Sequence, residues 1–587
     1  MMLKTLCSIL LCSTFFCHAQ SNDIRANQGP FALTLEQALN WTARSEFSST
    51  QNISTEPLAR RHAAQLDSSR AKLDTRVKVL YAPDGMNNFA NYLDTQATFN
   101  LYNFTHWSQI DVLNWFAGTA DHVVQIPARP WVDTAHRNGV KVIGSIFLAI
   151  AKYGGSADTA EALLKQDAQG RFIMAHRLVD IAQYYGFDGW LMNQETNLTA
   201  IKDAENELVE GQKDARRGAK LGQKMLAFMQ YLTAIAPQGM EIHWYDSMLE
   251  NGEVRWQNQL NEKNQAFLHQ GVSSADAMFM NYWWNKPMVE RSVSLAQELG
   301  RSGYDLYFGA DLWPSRNAQR AFSKTQWLED LFDSDTKQGL TSIALFAPNF
   351  NFNFSGEPHT PVFSKFKDDP QDSLRFYQTE QRLFVGDDLN LANNDLDGWP
   401  GIGRYVPAKT TVNALPFETH FNTGQGKKLV ENGQQVLSGW TDMSKQDLLP
   451  TWQFAVYGNP SMTVAYDFEE VFSGGSSLVF TGSLSAQETR IPLYQTHFLL
   501  GKNNTATLTL KGDVNALSLY VETADAKRHM FALNAITPSD SQQDWRTYEV
   551  SLSALAKQRI AQLGMLFNEG TAEENVNVYL GQLAIHQ

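Results

Sequence analysis

The sequence predicts an α/β protein: a (β/α)₈ TIM barrel followed by one or two β-sandwich domains. Three observations carry this. Eight short apolar runs alternate with amphipathic helical patterns over roughly 300 residues, the span of such a barrel. No run leads into a glycine-rich nucleotide fingerprint, the mark of the competing doubly wound open sheet. After about residue 414 the helical period gives way to short strand-like runs separated by Gly, Asn and Asp, the pattern of antiparallel sandwiches.

Taken in order, the chain opens with MMLKTLCSILLCSTFFCHAQ. One early Lys, an apolar stretch and small residues at Cys17 and Ala19 read as a signal peptide over 1–19, cut after Ala19. An anchor on Cys17 is the competing reading, weakened by bulky Phe16 just before it. The protein is therefore expected to be exported, either periplasmic or secreted. Residues 20–70 form a lead segment with helix-like pieces, and the barrel is placed at 71–370. Its strands are expected at Val77–Tyr81, Ile110–Phe116, Val140–Leu148, Phe187–Asn193, Met240–Tyr245, Ala277–Trp283, Asp305–Asp311 and Ser342–Ala347. Helices are expected over Arg171–Tyr185, stopped by Gly186, and over Arg216–Ala236. A connecting segment (371–413) precedes the sandwich (414–587), whose last run, YLGQLAI, resembles the final strand of carbohydrate-binding jelly rolls. A support packed on the barrel is the competing role for that domain.

Composition limits the function. A formal net charge of −14 disfavours nucleic acid or an anionic membrane as partner. All 3 cysteines, Cys7, Cys12 and Cys17, precede the cleavage point, so the mature chain would have no disulfide and no thiolate site. The 13 His residues form no HExxH pattern, and no metal or other cofactor is expected. The acidic run Asp387–Gly398 does not have EF-hand spacing and reads as a solvated loop. Aromatic residues make up 12% of the chain, with 15 Trp; they suit either a large core or platforms for the C–H faces of sugars.

In a barrel of this kind the active site lies at the C-terminal ends of the strands. Those ends carry Asn114 and Trp115, Asn193 and Glu195, Trp244 and Tyr245, Asn281 to Trp284, and Asp311 and Trp313. The stretch FDGWLMNQE (Phe187–Glu195) is the most informative. With period two, Phe187, Gly189, Leu191, Asn193 and Glu195 share the face toward the barrel axis, while Trp190 and Met192 face the helices. Trp190 then reads as core and Asp188 as a structural hydrogen-bond partner. Most glycosidases use two carboxylates. A carboxylate beside an amide fits instead the substrate-assisted exception, in which a 2-acetamido oxygen attacks the anomeric carbon. On spacing alone, a helix-capping Glu195 and a loop-shaping Asn193 remain open.

Further stretches narrow this choice. THWSQIDVLNWFAG, IPARPWVDTAHRNGVKVIG, GFDGWLMNQE, HWYDSMLENGEVRWQNQLNEKN, MNYWW, YFGADLW, ALFAPN and WPGIGRYVPAKTTVNALPFETHFNTGQG follow one another between Thr105 and Gly426. In that order they resemble glycoside hydrolase family 85, endo-β-N-acetylglucosaminidases that cut between the two GlcNAc residues of the N-glycan core. The resemblance implies N-linked glycans and glycoproteins as partners. It makes Glu195 the general acid and then the general base, Asn193 the group that orients the acetamido and stabilises an oxazoline, and Tyr245 a neighbour of the reaction centre. Trp244, Trp256, Asn281, Trp283, Trp284 and Asp311 are expected at the substrate, with Trp256, Trp283 and Trp284 lining the groove. The chain departs from the family at Asn281-Tyr282-Trp283-Trp284, where relatives often read NYNW, and at Ala149–Ser156, which lacks a Glu-Trp found in some. A non-catalytic glycan-binding protein on the same barrel is the alternative. A chitinase-like hydrolase is disfavoured, because the strand lacks the series of spaced acids such enzymes carry.

Overall fold

The computed structural model describes residues 31–66, 72–88, 92–99, 101–203, 208–312, 327–349, 373–393, 399–535, 544–570 and 575–587. The expected leader, Trp313 and part of the acidic run lie outside them.

Eight strands close a parallel barrel: β1 Val79–Ala82, β2 Val112–Asn114, β3 Lys141–Leu148, β4 Gly189–Gln194, β5 Glu241–Tyr245, β6 Ala277–Met280, β7 Leu306–Asp311 and β8 Ser342–Phe346. Each pairs in parallel with the next, and β8 returns to β1. That last pairing excludes the open sheet. Every expected run overlaps one of these strands, although Ile110–Phe116 is a strand only over Val112–Asn114 and two strands run one residue further than expected, to Ala82 and Gln194.

Side-chain alternation builds two apolar layers. Leu80, Val112, Ile143, Leu191, Phe279 and Ala344 fill the barrel interior. Their chain neighbours, among them Trp190, Met192, Met278 and Ile343, pack outward with the helices. Helix α1 (Ile173–Tyr185) buries Leu178, Ile181, Ala182 and Tyr185, and ends at Gly186 in the left-handed region (φ +76°). Helix α2 (Ala215–Ile235) buries Leu221, Met225, Met229 and Leu232. The lead segment adds strand Ala32–Thr34, which pairs antiparallel with His122–Gln125, itself antiparallel to β3.

Beyond the barrel, antiparallel strands form two larger sheets. One runs Thr463–Asp467, Ser477–Ser483, Asn575–His586, Thr505–Gly512, Arg546–Ser551, Asn534–Ala535, with Phe417–Thr419 also on Asn575–His586. The other runs Thr489–Gln495, Ile560–Phe567, Leu517–Thr523, Arg528–Ala532. This region packs on the barrel foot and the lead segment. Gln446 accepts the Trp107 indole N–H (2.6 Å), Gln453 donates to the Thr105 carbonyl (2.8 Å), and Gln495 accepts the Gln65 N–H (3.1 Å). At the same foot Asp111 accepts from the Val79 N–H (2.9 Å), Arg61 (2.7 Å) and Lys409. Burial alone would raise the Asp111 carboxyl, but Lys409 and Arg61 outweigh it and hold it below the usual range. At this foot Arg61 of the lead segment and Lys409 of the connector brace the end of the barrel opposite the catalytic one.

Candidate active site

The strand that ends on Asn193 and Glu195 is set from both sides. Phe187 meets Trp190 edge to face at 5.0 Å, and the Trp190 indole N–H donates to the Leu178 carbonyl of α1 (2.9 Å). Asp188 Oδ2 accepts the Val142 N–H (2.7 Å) and pairs with His136 Nε2 (2.8 Å), so this carboxylate ties β4 to β3 and is structural, as its parity implies. Gly189 has φ +146°, and a Cβ there would lie 1.9 Å from the Glu241 carbonyl oxygen. Only glycine lets β4 approach β5 this closely. Glu195 lies one residue past the strand, but its N–H still donates to the Leu148 carbonyl (2.9 Å). The alternation therefore runs on to the carboxylate.

Leu191, Asn193 and Glu195 line a cavity of about 500 Å³ at the C-terminal end of the barrel, together with Tyr245. Asn193 Nδ2 donates to Glu195 Oε2 at 3.0 Å. An amide and a carboxyl group thus form one polar unit in a wall that also carries Asp84, small residues and several aromatic rings. Tyr245 is buried, and its hydroxyl donates to Asn281 Oδ1 (2.9 Å). Burial, with the negative charge of Glu195 next, pushes the phenol well above its ordinary value, which keeps it a neutral hydroxyl.

The remaining expected residues divide. Asn281 touches Tyr245. Asp311 is buried, and its charge also raises the Tyr245 phenol, yet it is not among the residues lining the cavity. Trp256 and Trp283, expected to line the groove, are 38% and 61% exposed on the loops after β5 and β6 and are not among the described residues that line the cavity. Two more expectations fail. Trp244 is fully buried and stacks on Phe267 at 4.2 Å; the parity that turns Tyr245 inward turns Trp244 out. Trp284 is buried, stacks on Trp327 at 4.9 Å, and donates its indole N–H to the Gly309 carbonyl (2.8 Å). Neither lines the groove. Trp115 is likewise core, donating to Asn87 Oδ1 (2.9 Å), and Asn114 donates to the β3 backbone.

Trp244→Ala is accordingly expected to cost about 3–5 kcal/mol of stability, the usual size of a large aromatic deletion from a core. Trp283→Ala should shift stability by less than about 0.5 kcal/mol, as at other surface sites, and act on activity instead. Denaturant melts run beside activity assays check this; a large stability loss for Trp283→Ala would make it core as well.

Sequence reasoning missed several residues of the cavity. Phe116, Phe279 and Phe346 share the inward parity of Val112, Ala277 and Ala344, so alternation alone could have found them. Tyr153, 67% exposed, comes from the loop after β3, where no periodic signal exists. Asp84, a second lining carboxylate, follows β1 and had no motif to mark it. Among the described residues no group of three or more His, Cys, Asp or Glu could hold a metal ion, and no helix is long and apolar enough to cross a membrane.

Residues 85–429 match the family described as glycosyl hydrolase family 85. The chain is similar to the "Cytosolic endo-beta-N-acetylglucosaminidase" of Gallus gallus, with 28% identity over 476 residues, covering 79% of this chain and 53% of that one. For the protein of the same name from Homo sapiens the identity is 29% over 464 residues, covering 76% and 51%. The chain thus spans about half the length of these relatives. Among solved structures, the glycoside hydrolase domain of Endo-D from Streptococcus pneumoniae R6 is similar with a TM-score of 0.74 and 26% identity, covering 94% of this chain and 82% of that one.

Proposed function

Because the chain belongs to glycosyl hydrolase family 85, we propose that it is a retaining endo-β-N-acetylglucosaminidase acting on the GlcNAcβ1-4GlcNAc core of N-glycans. The observation that carries this reading is the Asn193–Glu195 pair, 3.0 Å apart in the wall of the barrel-end cavity.

The chemistry follows from what each group can do. Glu195, as the acid, protonates the oxygen leaving the anomeric carbon. The substrate's own acetamido oxygen attacks that carbon and forms an oxazolinium ring whose nitrogen keeps its proton. With the Asn193 amide NH₂ turned to Glu195, its Oδ1 can accept the acetamido N–H and hold the carbonyl oxygen on the anomeric carbon. Glu195, now ionised, then takes a proton from water or a sugar hydroxyl as that oxygen opens the oxazoline. Two inversions leave the anomeric configuration unchanged. The Tyr245 hydroxyl, its proton given to Asn281 Oδ1, lies beside the reacting groups with its oxygen able to accept, and the aromatic residues of the wall supply faces for the sugar rings.

A glycoprotein incubated with the protein is expected to lose a glycan ending in one GlcNAc, with one GlcNAc kept on the Asn, and EDTA should not slow this. Mass analysis of both products checks it. A released glycan bearing two GlcNAc with Asn converted to Asp would mean amidase chemistry and defeat the proposal, while stable glycan binding without product would favour the non-catalytic alternative. Export is part of the proposal, although the curated relatives above are named cytosolic. The exported form should carry the activity outside the cytoplasm and begin at Gln20; activity confined to the cytoplasm on a chain that keeps its first residues would overturn it.

A further inference from the structure

Immediately after Tyr245 the chain places a carboxylate, Asp246, which is 1% exposed and has no part in the chemistry above. It collects three donors from a single loop. Asp246 Oδ2 accepts the backbone N–H groups of Gln257 (3.1 Å) and Asn258 (2.7 Å), and Oδ1 accepts Asn264 Nδ2 (2.9 Å). Burial pushes this carboxyl up to about 6, and these three donors together with the Asn281 backbone N–H act against that rise. A buried acid is costly unless its hydrogen bonds are complete; here three of them fix one turn, and a further one comes from the Asn281 backbone N–H at the end of β6.

That turn places Asn258 in the left-handed region (φ +57°). Its side chain crosses to the β6 end, where Asn258 Oδ1 accepts Asn281 Nδ2 (2.8 Å) and the Trp283 backbone N–H (3.1 Å). Asn281 Oδ1 in turn accepts the Tyr245 hydroxyl (2.9 Å). The relay Asp246–Asn258–Asn281–Tyr245 begins and ends on adjacent residues of β5 and its exit, and passes through both segments that carry the exposed rim tryptophans, Trp256 and Trp283. An asparagine amide is suited to the middle of such a relay, because it accepts on one side and donates on the other.

We propose that Asp246 and Asn258 are positioning residues for the reaction: they act through Asn281 to fix the Tyr245 hydroxyl. The same links would set the rim loop against the catalytic end. The inference rests on the endoglycosidase reading and deepens it.

The test is a cycle of four full-length proteins: unmodified, Asn258→Gly, Tyr245→Phe and the double variant. Glycine accepts the left-handed turn and keeps the backbone N–H groups that bind Asp246, so Asn258→Gly removes only the side-chain link. Melting temperatures confirm folding, and glycan release is measured at saturating substrate. Asn258→Gly is expected to lower kcat roughly three- to tenfold, about the weight of one hydrogen bond. In the Tyr245→Phe background, where no hydroxyl remains to be held, its effect should fall below about twofold. Asp246→Asn, which sets an NH₂ against the Asn264 NH₂, should show the same dependence on Tyr245. Equal fold-losses in both backgrounds would mean a merely structural role, and no loss in either would mean that the relay is idle; each overturns the inference. Absence of glycan release from the unmodified protein would overturn the endoglycosidase reading and the inference with it.

Discussion

Glu195→Gln is expected to lower glycan release from natural glycoproteins by at least about 10²–10⁴-fold, the usual contribution of general acid catalysis, while the melting temperature stays close to that of the unmodified protein. The substitution is nearly isosteric. Its amide oxygen can still accept from Asn193 Nδ2, and the backbone bond from residue 195 to the Leu148 carbonyl is untouched. What disappears is the proton for the leaving oxygen and the base for the second step. The measurement is single-substrate release followed by mass spectrometry, next to a thermal melt. Near-normal turnover by a folded variant would remove Glu195 from the mechanism and turn attention to Asp84, the other carboxylate among the described residues that line the cavity.

Asn193→Ala separates the two halves of the reaction. If Asn193 serves the acetamido group, its loss blocks formation of the oxazoline but leaves its use intact. Hydrolysis of glycoprotein should fall by about as much as for Glu195→Gln. A preformed glycan oxazoline should still be joined to a GlcNAc acceptor, because Glu195 remains to activate the acceptor hydroxyl and the rest of the cavity binds the donor. An Asn193 that merely shapes the strand end predicts that both reactions fail together or that neither does. The comparison also addresses a two-carboxylate mechanism with Asp84 as nucleophile. In that case Asp84→Asn would abolish hydrolysis through loss of a covalent intermediate, whereas Asn193→Ala would be mild. Parallel loss of synthesis and hydrolysis in a folded Asn193→Ala protein would sink the substrate-assisted role.

Local chemistry made much of the site legible in advance. A strand has a side-chain period of two whatever surrounds it, so Asn193 and Glu195 on one face, and Trp190 on the other, follow from order along the chain. The same holds for the eight strands, for the helix stopped at Gly186, and for the structural role of Asp188, whose parity excludes it from the cavity.

Trp244 obeys the same alternation: it counts as a substrate candidate because it stands at a strand end, but parity with Tyr245 sends it outward. Trp284 is different. It lies beyond the end of β6, where the backbone no longer alternates, and its burial depends on Trp327 and Gly309, residues distant along the chain. No local signal contains that information. The sequence by itself therefore determined which elements form, which way each strand residue points, and the amide–carboxyl pair at the end of β4. The tertiary structure alone decided which aromatics beyond the strand ends are rim and which are core, that Asp84 shares a cavity with Glu195, and that Asp246 reaches Tyr245 through Asn258 and Asn281. The physical reason is that burial and hydrogen-bond partners at loop positions come from segments brought together only when the barrel closes, whereas direction within a strand is fixed by the backbone geometry of its own residues.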